Sequence, residues 1–129
     1  MYRVTHNSSG APAAIGPYSH AVRATGELLF ISGQIPLDPG SGELVGETPA
    51  EQARQCLENL HAIASDAGGT LEDAVKVTVY LTDIEAFAEV NEVYAGFFKR
   101  DPPARVALAV AALPKGAQVE IDAVVALGA

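Results

Sequence analysis

The chain has 129 residues, 49% of them hydrophobic and 19% charged, with a formal net charge of −8. That length and balance suit a single globular domain, expected to span residues 1–129, with a core that folds without staples. The acidic balance argues against a grip on phosphate backbones, and no apolar run reaches the roughly eighteen residues of a membrane span, so neither a nucleic-acid nor a membrane partner is expected. A lone cysteine, Cys56, rules out a disulfide within this chain. The first residues lack the apolar core of a secretory signal, and a cytoplasmic protein is the default expectation.

A short strand is expected over residues 3–6, followed by loop chemistry over residues 7–12, Asn-Ser-Ser-Gly-Ala-Pro. Gly16-Pro17 constrains the backbone that carries Tyr18. Residues 20–24 and 28–32 flank Thr25-Gly26-Glu27 and read as a hairpin, with His20 as a solvent-facing residue of its first strand. Gly33 offers backbone that a ligand or another chain can approach closely, and residues 37–46 read as a surface loop. Thr48-Pro49-Ala50-Glu51 is a capping box with proline at the first helical position. The helix it opens carries Ala53, Leu57, Leu60, Ala64 and Ala67 on one stripe, with Cys56 and Ile63 beside it, and Gly68-Gly69 ends it. Val75, Val77, Val79 and Leu81 alternate with Lys76, Thr78, Tyr80 and Thr82, the period of a strand. Asp83 is expected to cap a second helix buried through Phe87, Val90, Tyr94 and Phe97.

The last part of the chain alternates again. Val106, Leu108 and Val110 interleave with Ala107, Ala109 and Ala111, then Pro114-Lys115-Gly116 breaks the run before Val119, Ile121, Ala123 and Val125 resume it. Two strands around such a break read as an antiparallel hairpin. Arg105 stands at the mouth of the first strand and Glu120 between Val119 and Ile121; a charge inside an apolar strand needs a partner or a task. The resulting order is three short strands, a helix, a strand, a helix and two strands. It makes an α+β domain with both helices on one face of a single sheet. Val106, Leu108, Val119 and Ile121 are expected to meet the helices, which leaves Ala107, Ala109, Ala111, Val124 and Ala126 on the far face. A solvated face normally reads polar; this one is small and apolar, which points to cover by another copy of the chain.

Pro103-Ala104-Arg105, the alternation to Leu113, the Pro-Lys-Gly turn and Val119-Glu120-Ile121 together resemble the signature of the RidA/YjgF family. Residues 11–19 (Ala-Pro-Ala-Ala-Ile-Gly-Pro-Tyr-Ser), 31–36 (Ile-Ser-Gly-Gln-Ile-Pro), 51–53 and 75–81 match in order, as do Phe87, Val90-Asn91 and Tyr94. The resemblance covers nearly the whole chain. It implies a chorismate-mutase-like α+β domain with a mixed six-stranded sheet, assembled as a homotrimer with ligand clefts between subunits. It also implies hydrolysis of reactive 2-enamine and 2-imino acids, such as 2-aminoacrylate and 2-iminobutyrate, to 2-oxo acids and ammonia, with no cofactor.

Under that resemblance Arg105 anchors the substrate, because its fork matches a planar carboxylate bidentately where lysine does not. Read from the residues alone, a structural ion pair with Glu120 or another acid is the favoured explanation. Glu120 matches the family carboxylate that directs water and moves protons. Tyr18 matches a cleft-lining tyrosine, Ser32 and Gly33 the cleft wall, and Asn91 a polar position on the second helix. Val106 and Ala107 stand where many members carry serine or threonine and then cysteine; the backbone of Ala107 remains available for ligand contact, but thiol chemistry there is lost. His6, His20 and His61 show no metal-ligand spacing with one another or with Cys56, and no metal is expected. Alternative functions are a non-catalytic 2-oxo acid sensor using the same cleft, a ribonuclease or translation inhibitor, and a holdase. The acidic balance disfavours the ribonuclease reading, and the holdase would need exposed apolar area that the sequence does not advertise.

Overall fold

Local signals set the helices. In a computed structural model, which describes residues 2–128, α1 spans Pro49–Asp66 and opens on the capping box read from the sequence. Thr48 Oγ1 accepts from the Glu51 N–H at 3.1 Å, and the Glu51 carboxylate accepts from the Thr48 N–H at 3.0 Å. Such a cap contributes about 1 kcal/mol. Gly68, at φ 88, turns the chain out of the helix, and the Gly69 N–H donates to the Ala64 carbonyl at 2.9 Å. The second helix, α2 (Phe87–Phe97), starts slightly later than its expected cap. Asp83 instead caps a single 3-10 turn, Ile84–Ala86, through the Glu85 N–H at 3.0 Å.

The strands are β1 (Arg3–His6), β2 (Ala21–Ala24), β3 (Leu28–Gln34), β4 (Ala74–Leu81), β5 (Ala104–Ala109) and β6 (Val119–Ala126). Four of them form a mixed sheet in the order β3-β6-β4-β5, antiparallel except for the parallel pair β4/β5. A parallel pair needs a crossover, and α2 supplies it.

Both expected hairpins are absent. β4 lies between β5 and β6, and residues 110–118 carry the chain across it, held by Val110 N–H to Leu81 O at 2.7 Å and Thr82 N–H to Gln118 O at 3.1 Å. Gly26, at φ 103, turns the chain so that β2 pairs with β1 and β3 with β6. The single six-stranded sheet is corrected too, because β1 and β2 form a two-stranded sheet of their own. Where the β4 edge runs on past the start of β5, the Arg3 guanidinium takes the Ala74 carbonyl at 2.8 and 2.9 Å, in place of a ladder bond from a neighbouring strand.

One sheet face builds the core. Val77, Val79, Leu81, Val119, Ile121, Ala123 and Val125 pack against Leu57 and Leu60 of α1 and Val90 and Tyr94 of α2. Each such large side chain contributes about 1.5–3 kcal/mol. On β5 the facing is the reverse of the expected one. Arg105 and Ala107 turn toward the helices, whereas Val106 and Leu108 look away, 44% and 36% exposed, alongside Phe30 at 74%. The cation fixes the parity, since its guanidinium sits among rings of α2 and alternation then turns its neighbours outward. The open face is therefore bulkier than alanine, apolar at its flanks, and polar along its middle, where Tyr80 Oη donates to Asp122 Oδ2 at 2.9 Å. Among the described residues no helix is long and apolar enough to cross a membrane.

Candidate active site

Phe87, Asn91 and Tyr94 follow one another at i, i+4 and i+7 along α2, so they share the face turned to β5. Arg105 enters between them. Its Cζ lies 4.8 Å from the Tyr94 ring centroid and 5.4 Å from that of Phe87, and Nη1 donates to Asn91 Oδ1 at 2.6 Å. The third wall is Tyr18, with its ring centroid 5.5 Å from Arg105 Cζ. Its loop is set by Tyr18 N–H to Gly16 O at 2.8 Å and Ser19 N–H to Pro103 O at 3.1 Å. A Cβ on Gly16 would stand 3.4 Å from Arg105 Nη2, so glycine lets the loop come close to the cation. Together Ile15, Gly16, Tyr18, Phe87, Arg105 and Ala107 line a cleft of about 270 Å³.

Burial pulls Arg105 below its ordinary value, and the phenols of Tyr94 and Tyr18 act in the opposite direction. A guanidinium so perturbed still carries its charge at neutral pH. Among the described residues its hydrogen-bond partner is the neutral amide of Asn91, not a carboxylate. Each ring contact offsets part of the desolvation, by about 0.5–2 kcal/mol. The cation is thus held in place while most of its donor fork stays free for an anion.

A second group gathers elsewhere. Ile31 pairs with Ala123 and Gln34 with Ile121, so Ser32 and Gly33 together oppose Asp122 in a bulge. The bulge brings the Gly33 backbone against Glu120, where an added Cβ would lie 2.9 Å from the carboxyl carbon. Arg105 pairs with Val77, which pairs with Ala123, and Glu120 is an odd number of residues from Ala123. Arg105 and Glu120 therefore project from opposite faces, from strands separated by two spacings, about 10 Å. The expected approach of Glu120 to Arg105 does not occur within one chain. The seven candidate residues divide into Arg105, Asn91, Tyr18 and Ala107 at the cleft, and Glu120, Ser32 and Gly33 across the sheet.

A family model described as Endoribonuclease L-PSP matches residues 8–127. The RutC family protein y4sK of Sinorhizobium fredii is 54% identical over 121 residues, covering 94% of this chain and 95% of that protein. A human protein named 2-iminobutanoate/2-iminopropanoate deaminase is 49% identical over 128 residues, covering 99% of this chain and 93% of the human one. The crystal structure of RidA from an Antarctic Psychrobacter superposes with a TM-score of 0.76 at 45% identity, covering 96% of this chain and 99% of that one. The chain belongs to the RidA/YjgF family.

For a RidA/YjgF member, several residues around Arg105 carry no individual sequence signal of that role. Phe87 and Tyr94 fit an apolar core stripe, and nothing in that period separates a core ring from one that cages a cation; their spacing to Asn91 was the available signal. Ile15 and Gly16 lay inside the matching motif but were not singled out. His20, expected to face solvent, is half-buried and bonded at both ring nitrogens to the loop that carries Tyr18. Cys56 is fully buried on α1, its thiol pushed up to about 12 by burial and then by the charge of Glu120, which suits packing and not attack. Among the described residues no cluster of three or more histidine, cysteine or acidic side chains is placed to hold a metal ion.

Proposed function

We propose that this protein hydrolyses 2-imino acids to 2-oxo acids and ammonia, with Arg105 binding the substrate carboxylate. The observation that carries the reading is the half-buried Arg105, whose partner among the described residues is a neutral amide and whose walls are three aromatic rings. A planar carboxylate conjugated to a C=N bond fits both the fork and the flat apolar walls. The human relative's name describes the same substrate class.

The chemistry requires water to add to the imine carbon. One water proton moves to the imine nitrogen to give the tetrahedral adduct, whose hydroxyl proton then passes to the same nitrogen as the C–N bond breaks, the C=O bond forms and ammonia leaves. We assign the proton transfers to Glu120, a carboxylate backed against Gly33. Because Glu120 and Arg105 of one chain look away from each other, the Glu120 that serves a given Arg105 belongs to another copy. A homotrimer with its open sheet faces packed inward accounts for this. It also covers Leu28, Phe30, Val106 and Leu108, which are 36–74% exposed in the single chain.

A second reading, a 2-oxo acid sensor, is favoured by the completeness of the Arg105 half-site without Glu120. The endoribonuclease in the family model's description finds little support in a net charge of −8. The test is release of ammonia and 2-oxobutanoate from 2-iminobutanoate generated in situ. Acceleration by wild type and none by Arg105→Ala is the expected result. Binding of 2-oxobutanoate without any acceleration selects the sensor.

A further inference from the structure

The His20 ring, immediately before β2, is bonded at both nitrogens. The Ser8 N–H donates to Nδ1 at 2.9 Å, Nε2 lies 2.6 Å from the Pro12 carbonyl oxygen, and the His20 N–H donates to Asn7 Oδ1 at 2.9 Å. A backbone N–H can only donate and a carbonyl can only accept. The tautomer is therefore dictated, with the proton on Nε2 and the lone pair on Nδ1. An imidazolium would carry N–H at both positions and set its Nδ1–H against the Ser8 N–H. The arrangement exists only for the neutral ring.

These bonds tie residues 7, 8 and 12 to residue 20 and so close the segment that carries Ile15, Gly16 and Tyr18. The next anchor is the buried Ser19, whose N–H reaches the Pro103 carbonyl, two residues before Arg105. We propose that His20 is a positioning residue, a neutral-imidazole clasp that holds the Tyr18 wall over Arg105 and opens when the ring takes up a proton. The assignment rests on the cleft being the substrate site. The titratable groups on the elements around it are Tyr18 on the loop, Arg3 and His6 on β1, Arg23 on β2, Lys76 and Tyr80 on β4 and Arg105 on β5. Asp73 and Asp101 act on Arg3, at the opposite end of β1.

The clasp affects binding and leaves the proton-transfer machinery alone. Its signature is a KM that rises in acid while kcat follows other groups. His20→Gln is the decisive variant, since its side-chain carbonyl accepts from Ser8, its amide N–H donates to Pro12, and it does not titrate. KM and kcat for 2-iminobutanoate, and calorimetric affinity for 2-oxobutanoate, are measured from about pH 8 to about pH 5.5. Wild type should lose affinity relative to His20→Gln by roughly threefold to tenfold at the acid end, the weight of about one hydrogen bond. His20→Ala should show that loss at both ends.

Ser8 amide hydrogen exchange, read without ligand, should be protected in wild type and His20→Gln at the alkaline end. At the acid end the protection should survive in His20→Gln alone. Turnover with superimposable acid limbs in wild type and His20→Gln overturns the clasp and leaves the deaminase reading standing. The expected exchange and 2-oxobutanoate pattern without imine turnover upholds the clasp and overturns the deaminase reading.

Discussion

Replacing Gly33 by alanine should move Glu120 without altering it. The new methyl would overlap the carboxylate oxygen Oε2 and stand 2.9 Å from the carboxyl carbon. Gly33 is not among the residues at positive φ, so the backbone accepts alanine and the strain falls on the Glu120 side chain. Swinging a half-exposed carboxylate to another rotamer costs about 0.5–1.5 kcal/mol, and the Gly→Ala change returns about 0.4–1 kcal/mol through the unfolded chain. Stability should therefore change by less than about 1 kcal/mol, a shift in Tm of no more than about 5 °C. Catalysis should suffer far more, because displacing a catalytic group by about 1 Å costs on the order of a hundredfold. The assay is steady-state deamination of 2-iminobutanoate beside calorimetric binding of 2-oxobutanoate. Gly33→Ala should lose about a hundredfold in kcat with affinity changed less than about twofold. Wild-type kcat in a variant whose crystal structure shows Glu120 displaced would refute the role given to that carboxylate.

Asn91→Ala removes the 2.6 Å bond that orients the Arg105 fork. Hydrogen bonds to charged groups are worth about 1.5–3 kcal/mol, and partial exposure places this one at the low end, so 2-oxobutanoate affinity should fall about tenfold with the melting curve little changed. Native Cys56 should resist thiol reagents at neutral pH and react fully once unfolded. Because its folded value is raised from 9.0 to about 12, the folded state holds the proton more tightly. Its contribution is complete below about pH 9 and declines as pH rises toward 12. Urea melts of wild type should therefore show an alkaline loss of stability that Cys56→Ala lacks, and equal slopes would contradict the assignment.

Helix α1 was legible because its signals are local, a reciprocal cap, a 3.6-residue stripe and a Gly-Gly stop, although Ala67, expected on the buried stripe, is the exposed C-cap just past the helix. Strand partners were not legible. The Pro-Lys-Gly break after β5 looks like a hairpin turn, yet β5 pairs with β4 across α2, a choice made by long-range burial that no neighbouring residue announces. The inverted facing of β5 followed from the same limit, since alternation gives two faces but not which one meets the helices. At the site, Arg105 stood out as a charge without a local reason and Gly33 as a glycine that permits close approach. What the close approach served, Glu120, emerged only from the register of β3 on β6. His20 was unreadable because its partners, Ser8 and Pro12, contribute backbone atoms that carry no sequence signature.

The central claim is that Arg105 of one copy and Glu120 of another complete a single site. Arg105→Ala and Glu120→Ala chains, each inactive alone, can be co-refolded into mixed assemblies and assayed for deamination of 2-iminobutanoate. In a cyclic assembly with head-to-tail interfaces, random mixing leaves about a quarter of the clefts with both residues intact, so about a quarter of wild-type activity should return. Mixed assemblies that form and stay inactive would contradict the shared site.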